Sequence, residues 1–332
     1  MSQLTVGLIG GTGLGEALGA GADGGGARHV PPEIDTPFGR PSDAIIETEW
    51  AGVRVLILSR HGPGHLLNPA QVPYRANIFA LKQMGCTHIL ASGAVGSLRE
   101  EYRPRDLVIP DQIIDKTHRR PGTFYEKAAV HVEFAEPFCP VLRKILVETA
   151  AAMPPAEAQG VQPNARGGKP HQVHDGGCYV CMEGPAFSTR AESLMHRLWG
   201  GDLVGMTAMP EAKLAREAEI SYALVALVTD YDSWRVAPAA TQGGQGKLQT
   251  DSQVLLEEII GNVQAATANT VSLMRAAVER IAARREELLS APAQRALRLA
   301  IWSNKSAIDP AEVQRLSPLW MKYFEAGDSA GG

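Results

Sequence analysis

From Tyr222 to Val228 the chain reads YALVALV and then turns at once to Thr229-Asp230-Tyr231-Asp232. An unbroken apolar run of this length reads as a buried strand, because a half-exposed strand would alternate. Two carboxylates at i and i+2 on extended backbone point to the same side. Acids brought together where a buried strand ends are costly unless a ligand proton or hydrogen bonds neutralise them. An aminopurine offers matching chemistry, with an exocyclic amino group to donate and a ring nitrogen to receive a proton. The same four residues would also serve as a solvated turn, so the rest of the chain has to decide.

Other strand patterns fall at Leu4–Ile9, Ala44–Thr48, Val53–Leu58, His88–Ala91, Leu107–Ile109 and Tyr179–Met182. Helical patterns lie between several of them, at Tyr74–Met84, Pro140–Ala152, Thr189–Trp199 and Pro210–Ala218. This alternation predicts an α/β fold, a single domain with a central mixed β-sheet flanked by helices. Thr189 and Glu192 form a capping-box start, and Asp309-Pro310-Ala311-Glu312 opens a late helix in the favoured order. Residues 1–250 are assigned to the α/β domain, and 251–332 to a helical extension packed on it. Pro154–Gly177 and the glycine-rich Pro238–Lys247 read as surface insertions, the second placed where a flap over a site is expected.

A net charge of −4 offers no basic field for nucleic acid or an anionic membrane surface. No apolar run approaches the roughly 20 residues of a membrane span. MSQLTVGLIGG lacks a basic n-region followed by an apolar h-region, so the expected location is the cytoplasm. Cys178 and Cys181 form a CxxC, but in a strand their odd offset sends the thiols to opposite faces. With no second pair to complete a zinc site, all four cysteines are expected to be reduced and mostly buried.

Oxyanion donors recur at strand ends. Gly10-Gly11-Thr12-Gly13-Leu14-Gly15 follows the first strand, yet Glu16 stands where a dinucleotide fingerprint needs its third glycine. What remains is a turn with free N–H groups and one hydroxyl, suited to a small oxyanion or to structure alone. Arg60-His61 follows the Val53–Leu58 strand and reads as a phosphate clamp, or as an arginine paired with a nearby carboxylate. Ser92-Gly93-Ala94-Val95-Gly96-Ser97 exposes backbone N–H groups after a third strand. Ligands of open α/β sheets collect at such carboxyl ends. Met182–Ser188 adds a carboxylate, a tight turn and Phe187, and Met206-Thr207 adds another hydroxyl.

These residues resemble a known family. GGTG at 10–13, TPFGRPSD at 36–43, SRHGPGH at 59–65 and YRANIFALKQMGCTHI at 74–89 all fit it. So do GSLRE at 96–100, AEPFCP at 135–140, EGPAFSTRAES at 183–193, GMTAMPE at 205–211 and TDYDSW at 229–234. From about residue 4 to 235 the chain is similar to the S-methyl-5′-thioadenosine phosphorylases, within the trimeric purine nucleoside phosphorylases. The resemblance implies that Thr12, Arg60, His61, the Gly93–Ala94 backbone and Thr207 hold phosphate. Met206 would lie against the ribose, Phe187 and Ser188 would border the base, and Asp230 and Asp232 would bind the purine edge. His131 matches a histidine that reaches into the neighbouring subunit's 5′ pocket, so a homotrimer is implied. Gly93 stands where the family often has a hydroxyl residue, and the loop after Trp234 and the region beyond Asp251 diverge.

The implied reaction is phosphorolysis of S-methyl-5′-thioadenosine, and of adenosine as a further substrate, to adenine and the ribose 1-phosphate. A protonated Asp230 would donate to N7, its pKa raised by burial beside Asp232, while Asp232 accepts from the 6-amino group. Phosphate is then a co-substrate, and no metal or organic cofactor is called for. The rival is a 6-oxopurine nucleoside phosphorylase, for which a neutral Asn at the base edge is more natural. A hydrolase would need a calcium-type cluster of acids, and a dinucleotide module would leave Arg60, His61 and the acid pair unexplained.

Overall fold

Thr5–Gly10 (β1) is buried at every position, as befits a strand with neighbours on both edges and helices over both faces. The computed structural model describes residues 3–11, 17, 28–30, 34–153, 172–235 and 252–325. On one edge β1 runs parallel to Val53–Ser59 (β4), which pairs antiparallel with Ile45–Trp50 (β3), and that with Arg28–Val30 (β2). On the other edge β1 runs parallel to His88–Ser97 (β5). Ser221–Tyr231 (β11) lies parallel to β5 along its whole length, which confirms the buried strand that the apolar run predicts.

Five shorter strands complete the sheet: Leu107–Ile109 (β6), Gln112–Asp115 (β7), Val173–Asp175 (β8), Cys178–Cys181 (β9) and Leu203–Gly205 (β10). β6 pairs with β11 and β8, while β10 joins the far end of β5 to β9 and β9 to β7. The result is a mixed sheet of eleven strands among the described residues, matching the expected class. Two expectations change here. β5 does not stop at Ala91 but continues through the small residues to Ser97, because β11 stays beside it. The carboxyl end of the expected Pro154–Gly177 insertion is the strand β8, held by β6, and residues 154–171 and 238–247 lie outside the described residues.

Helices cover both faces. Tyr74–Gln83 (α1) and Ala208–Glu217 (α4) pack Ile78, Phe79, Leu81 and Leu214 against one face. Pro140–Ala152 (α2) and Ser252–Ala283 (α5) bring Leu142, Ile145, Leu273 and Ile281 to the other. Truncating such a side chain to Ala typically costs about 2–5 kcal/mol. Arg190–Leu198 (α3) begins with the predicted capping box, Thr189 and Glu192 satisfying each other's end of the helix. Later segments pack back on the sheet: the buried His88 meets the Leu288 carbonyl at 3.2 Å, and Gln294 donates to the Thr87 carbonyl at 2.8 Å. No helix among the described residues is long and apolar enough to cross a membrane.

The topology makes an opening. β1 pairs with β5 only as far as Ala91, whereas β11 follows β5 to its end and β10 rejoins it at Gly96 and Ser97. Between those points one edge of β5 has no strand beside it. A cavity of about 420 Å³ lies there, at the carboxyl ends of the central strands.

Candidate active site

β4 delivers Arg60 and His61 to the cavity wall. Arg60 is fully buried, and its Nε and Nη2 donate to the two oxygens of Glu211, each at 2.7 Å. Nη1 donates to the Ser92 carbonyl at 2.7 Å, and the Tyr222 hydroxyl donates to Glu211 at 2.8 Å. Burial works against the guanidinium charge, but the Glu211 carboxylate outweighs it and holds Arg60 above its ordinary range. A guanidinium has five N–H donors, and these bonds use three of them. Arg60 thus pairs with a carboxylate, as one of the two sequence readings has it, and it also lines the cavity.

His61 donates from Nδ1 to the Leu67 carbonyl at 2.7 Å and stacks on His65 with ring centroids 4.2 Å apart. Burial, helped by the neighbouring Arg60 charge, lowers its pKa to about 4. The ring is therefore neutral at pH 7, with its proton on Nδ1 and the Nε2 lone pair left as an acceptor.

The exposed edge of β5 supplies Gly93, Ala94, Val95 and Gly96 to the lining. The Thr207 hydroxyl would lie 3.2 Å from a Cβ at Gly93, so glycine there leaves the backbone open beside that hydroxyl. Across the cavity stand Met182, Pro185, Phe187, Ser188 and Met206. Gly184 takes a φ of +65°, and a Cβ on it would sit 2.5 Å from the Met206 sulfur. Only glycine lets that turn close on Met206.

One buried side chain holds both of these loops. Arg120, whose side chain is 1% exposed, donates from Nη1 to the carbonyls of Met206 and Met209 at 2.6 and 2.7 Å. Its Nη2 donates to the Glu183 carbonyl at 2.6 Å. The Glu183 carboxylate turns the same way, accepting from the His118 N–H at 2.8 Å; burial opposes its charge, but these donors and Arg120 hold it below its ordinary range. Glu183 is thus spent on the 118–120 segment.

The acid pair lies where the sequence puts it. Asp230 and Asp232 both line the cavity, and a β-bulge between Val228 and Asp230 re-aims the end of β11. A Cβ on Gly96 would meet the Asp232 Cβ at 3.2 Å and Asp230 Oδ1 at 3.3 Å, so the β5 backbone backs directly onto both acids. The Thr229 hydroxyl lies 2.6 Å from Asp230 Oδ2 and 3.2 Å from the Val95 carbonyl. Asp232 is buried, and its Oδ2 has no hydrogen-bond partner among the described residues.

Of the residues singled out in the sequence, Arg60, His61, Gly93, Ala94, Thr207, Phe187, Ser188, Met206, Asp230 and Asp232 all line this one cavity. Thr12 lies outside the described residues. His131 lies elsewhere, exposed beside a second concavity with Arg216 and Arg298 and 4.5 Å from the Trp302 ring. Sequence reasoning missed Glu211, Arg120, His65 and Val263, the last brought to the cavity by α5. His65 and Glu211 end the SRHGPGH and GMTAMPE motifs, where no role was given to them, while Arg120 and Val263 reach the site across long sequence separations that leave no local signal.

Comparison with known proteins agrees with this geometry. The Phosphorylase superfamily matches residues 5–279. The S-methyl-5′-thioadenosine phosphorylase of Gloeobacter violaceus is 42% identical over 97% of this chain and 96% of its own length. That of Chloroflexus aurantiacus is 44% identical, covering 98% of this chain and 100% of its own. Among solved structures, a methylthioadenosine phosphorylase from an antarctic soil metagenomic library aligns with a TM-score of 0.78 at 39% identity, over 96% of this chain and 99% of that one. An engineered adenosine/methylthioadenosine phosphorylase of Schistosoma mansoni, solved with methylthioadenosine, aligns at 0.72 and 34% identity over 91% and 100%. With the cavity and its lining residues in place, the chain belongs to the Phosphorylase superfamily and, within it, to the S-methyl-5′-thioadenosine phosphorylases.

Proposed function

We propose that the chain cleaves S-methyl-5′-thioadenosine with phosphate, giving adenine and 5-methylthioribose 1-phosphate, with adenosine as a further substrate. The single observation that carries this reading is one cavity lined both by Arg60, His61 and Thr207 and by Asp230 and Asp232. Phosphate would be held by the remaining Arg60 donors, the Gly93–Ala94 backbone, Thr207 and Thr12. His61, neutral with Nε2 as acceptor, suits a phosphate oxygen that keeps its proton. Met206 would lie against the ribose, Phe187 and Ser188 beside the base.

Asp230 would act as the acid at N7, because purine leaves well only as a neutral base. The Thr229 hydroxyl has one proton and two partners. With that proton directed at the Val95 carbonyl, Thr229 can accept from Asp230, so the geometry leaves room for a protonated acid there. Asp232 would accept from the 6-amino group at the cavity wall. As the glycosidic bond breaks, charge grows at C1′, and the phosphate stabilises it before attacking. This scheme calls for no metal or organic cofactor.

Assembly as a homotrimer belongs to the same proposal. Phe187, Leu66, Leu299 and Trp302 are large apolar side chains more than 70% exposed, which supports burial against another copy. His131 from that copy would then complete the 5′ pocket. A cytoplasmic place in purine and methionine salvage fits the two products.

Incubation with methylthioadenosine, with and without phosphate, tests the reaction. Adenine should appear only when phosphate is present. Equal release in phosphate-free buffer would make the protein a hydrolase, and comparable kcat/KM for methylthioinosine would favour the 6-oxopurine reading.

A further inference from the structure

Behind Asp232 stands a pair of side chains with no role in the scheme above. α3 turns Ser193 and His196 inward, one helical turn apart. Ser193 Oγ accepts from the Trp234 N–H at 3.1 Å, so this face of α3 lies against the segment that carries Asp232. His196 is 1% exposed. Its Nε2 meets the Lys116 ammonium at 2.8 Å, and its Nδ1 is buried without a hydrogen-bond partner among the described residues.

An ammonium only donates, so Nε2 must be the acceptor and the ring proton must sit on Nδ1. Lys116 therefore fixes the tautomer. Burial and the Lys116 charge lower the pKa of His196, while the Asp232 and Glu192 charges pull it back up. Two buried polar atoms are thus left over on either side of this seam, a donor at His196 Nδ1 and an acceptor at Asp232 Oδ2, and the Asp232 charge acts on the His196 ring. No direct hydrogen bond joins them, and a bridging water is the usual way such a pair is satisfied. Unpaired buried polar atoms are expensive, and a donor beside an ionised acceptor is the arrangement that relieves both.

We propose that His196, its tautomer set by Lys116, is a positioning residue that holds the Asp232 carboxylate aimed at the base, and so helps to set the preference for 6-aminopurines. This rests on the proposed role of Asp232 at the base edge. An ionised acceptor welcomes the two hydrogens of a 6-amino group and repels a 6-oxo oxygen. Without the donor behind it, the Asp232 carboxylate is free to turn away from the base edge, and the discrimination against a 6-oxo oxygen weakens.

The test compares methylthioadenosine with methylthioinosine in the full-length wild type, His196→Phe, His196→Asn, Lys116→Met and Asp232→Asn. Losing a hydrogen bond to a charged group should lower kcat/KM for the 6-amino substrate on the order of 10-fold or more in His196→Phe. The 6-oxo substrate should lose less, so the selectivity narrows, and the phosphate KM should not move. His196→Asn, which keeps a donor, should recover part of the loss. Histidine side-chain nitrogen NMR should show the Nδ1–H tautomer in the wild type and a changed tautomer balance in Lys116→Met, an outcome readable even if His196→Phe fails to fold. Wild-type selectivity in a folded His196→Phe, or an Nε2–H tautomer in the wild type, overturns the proposal. Unchanged selectivity in Asp232→Asn would instead remove the base-edge role itself, and this inference with it.

Discussion

At the scale of single residues, buried charge decides most of what this chain does. Arg60 shows how a full cation can be kept in the interior: the Glu211 fork answers its charge, and Tyr222 holds the fork in place. Glu217 is a contrasting case. It is buried, accepts from the Phe124 N–H at 2.8 Å, and burial pushes its pKa up to about 7. The sign follows from linkage. A carboxyl raised in the folded state is favoured there as the neutral acid, so folding loses stability as pH rises from about 4.5 towards 7 and keeps that loss above. The full cost is roughly 3 kcal/mol for a shift of this size. Glu217→Gln should therefore lose less stability between pH 5 and pH 8 than the wild type. Denaturant unfolding at the two pH values checks this, and equal losses in both proteins would assign the pH dependence to other groups.

Elements position these residues, and not all of them announce themselves in the sequence. β1, β4 and β11 are legible because their apolar runs stand out from polar flanks. The last six residues of β5 are not, since SGAVGS has the composition of a loop and becomes strand only because β11 lies along it. β7 and β8 are short pieces, QIID and VHD, whose few residues carry too little pattern to read. Ten of the site residues could be named beforehand because they sit at strand ends or in ordered motifs. Arg120 could not, as it lies 63 residues from Glu183 and 86 from Met206. Its position clamping the 182–188 and 205–207 loops gives a prediction at this scale. Arg120→Met should raise the methylthioadenosine KM about 10-fold or more, as expected when charge-assisted bonds that fix a site are lost. The phosphate KM should change less, because Arg60 and His61 hang from β4 and only Thr207 rides on the clamped loop. Steady-state kinetics with each substrate varied in turn separates the two, and parallel increases would mean a general loss of structure.

For the whole molecule, the cavity is bordered by an aromatic ring that the single chain leaves in water, Phe187 at 73% exposure. If a second copy covers it, activity should depend on assembly. Trp302→Glu, placed beside His131 on the other concavity, should weaken the trimer and lower methylthioadenosine turnover together, while enzyme concentration restores both. Sedimentation velocity alongside activity reads this, and a fully active monomer would remove the shared-site reading.

The pairing of Arg60 with Glu211 has one more result, concerning when attraction is exerted. A site that met its anion with a bare cation would quench the nucleophile and grip the sugar phosphate after the reaction. Here the guanidinium arrives already matched, and His61 brings no charge of its own. Phosphate bound there as proposed would keep most of its pull for the positive carbon that exists only midway through bond exchange, which is the moment when tighter binding becomes faster turnover.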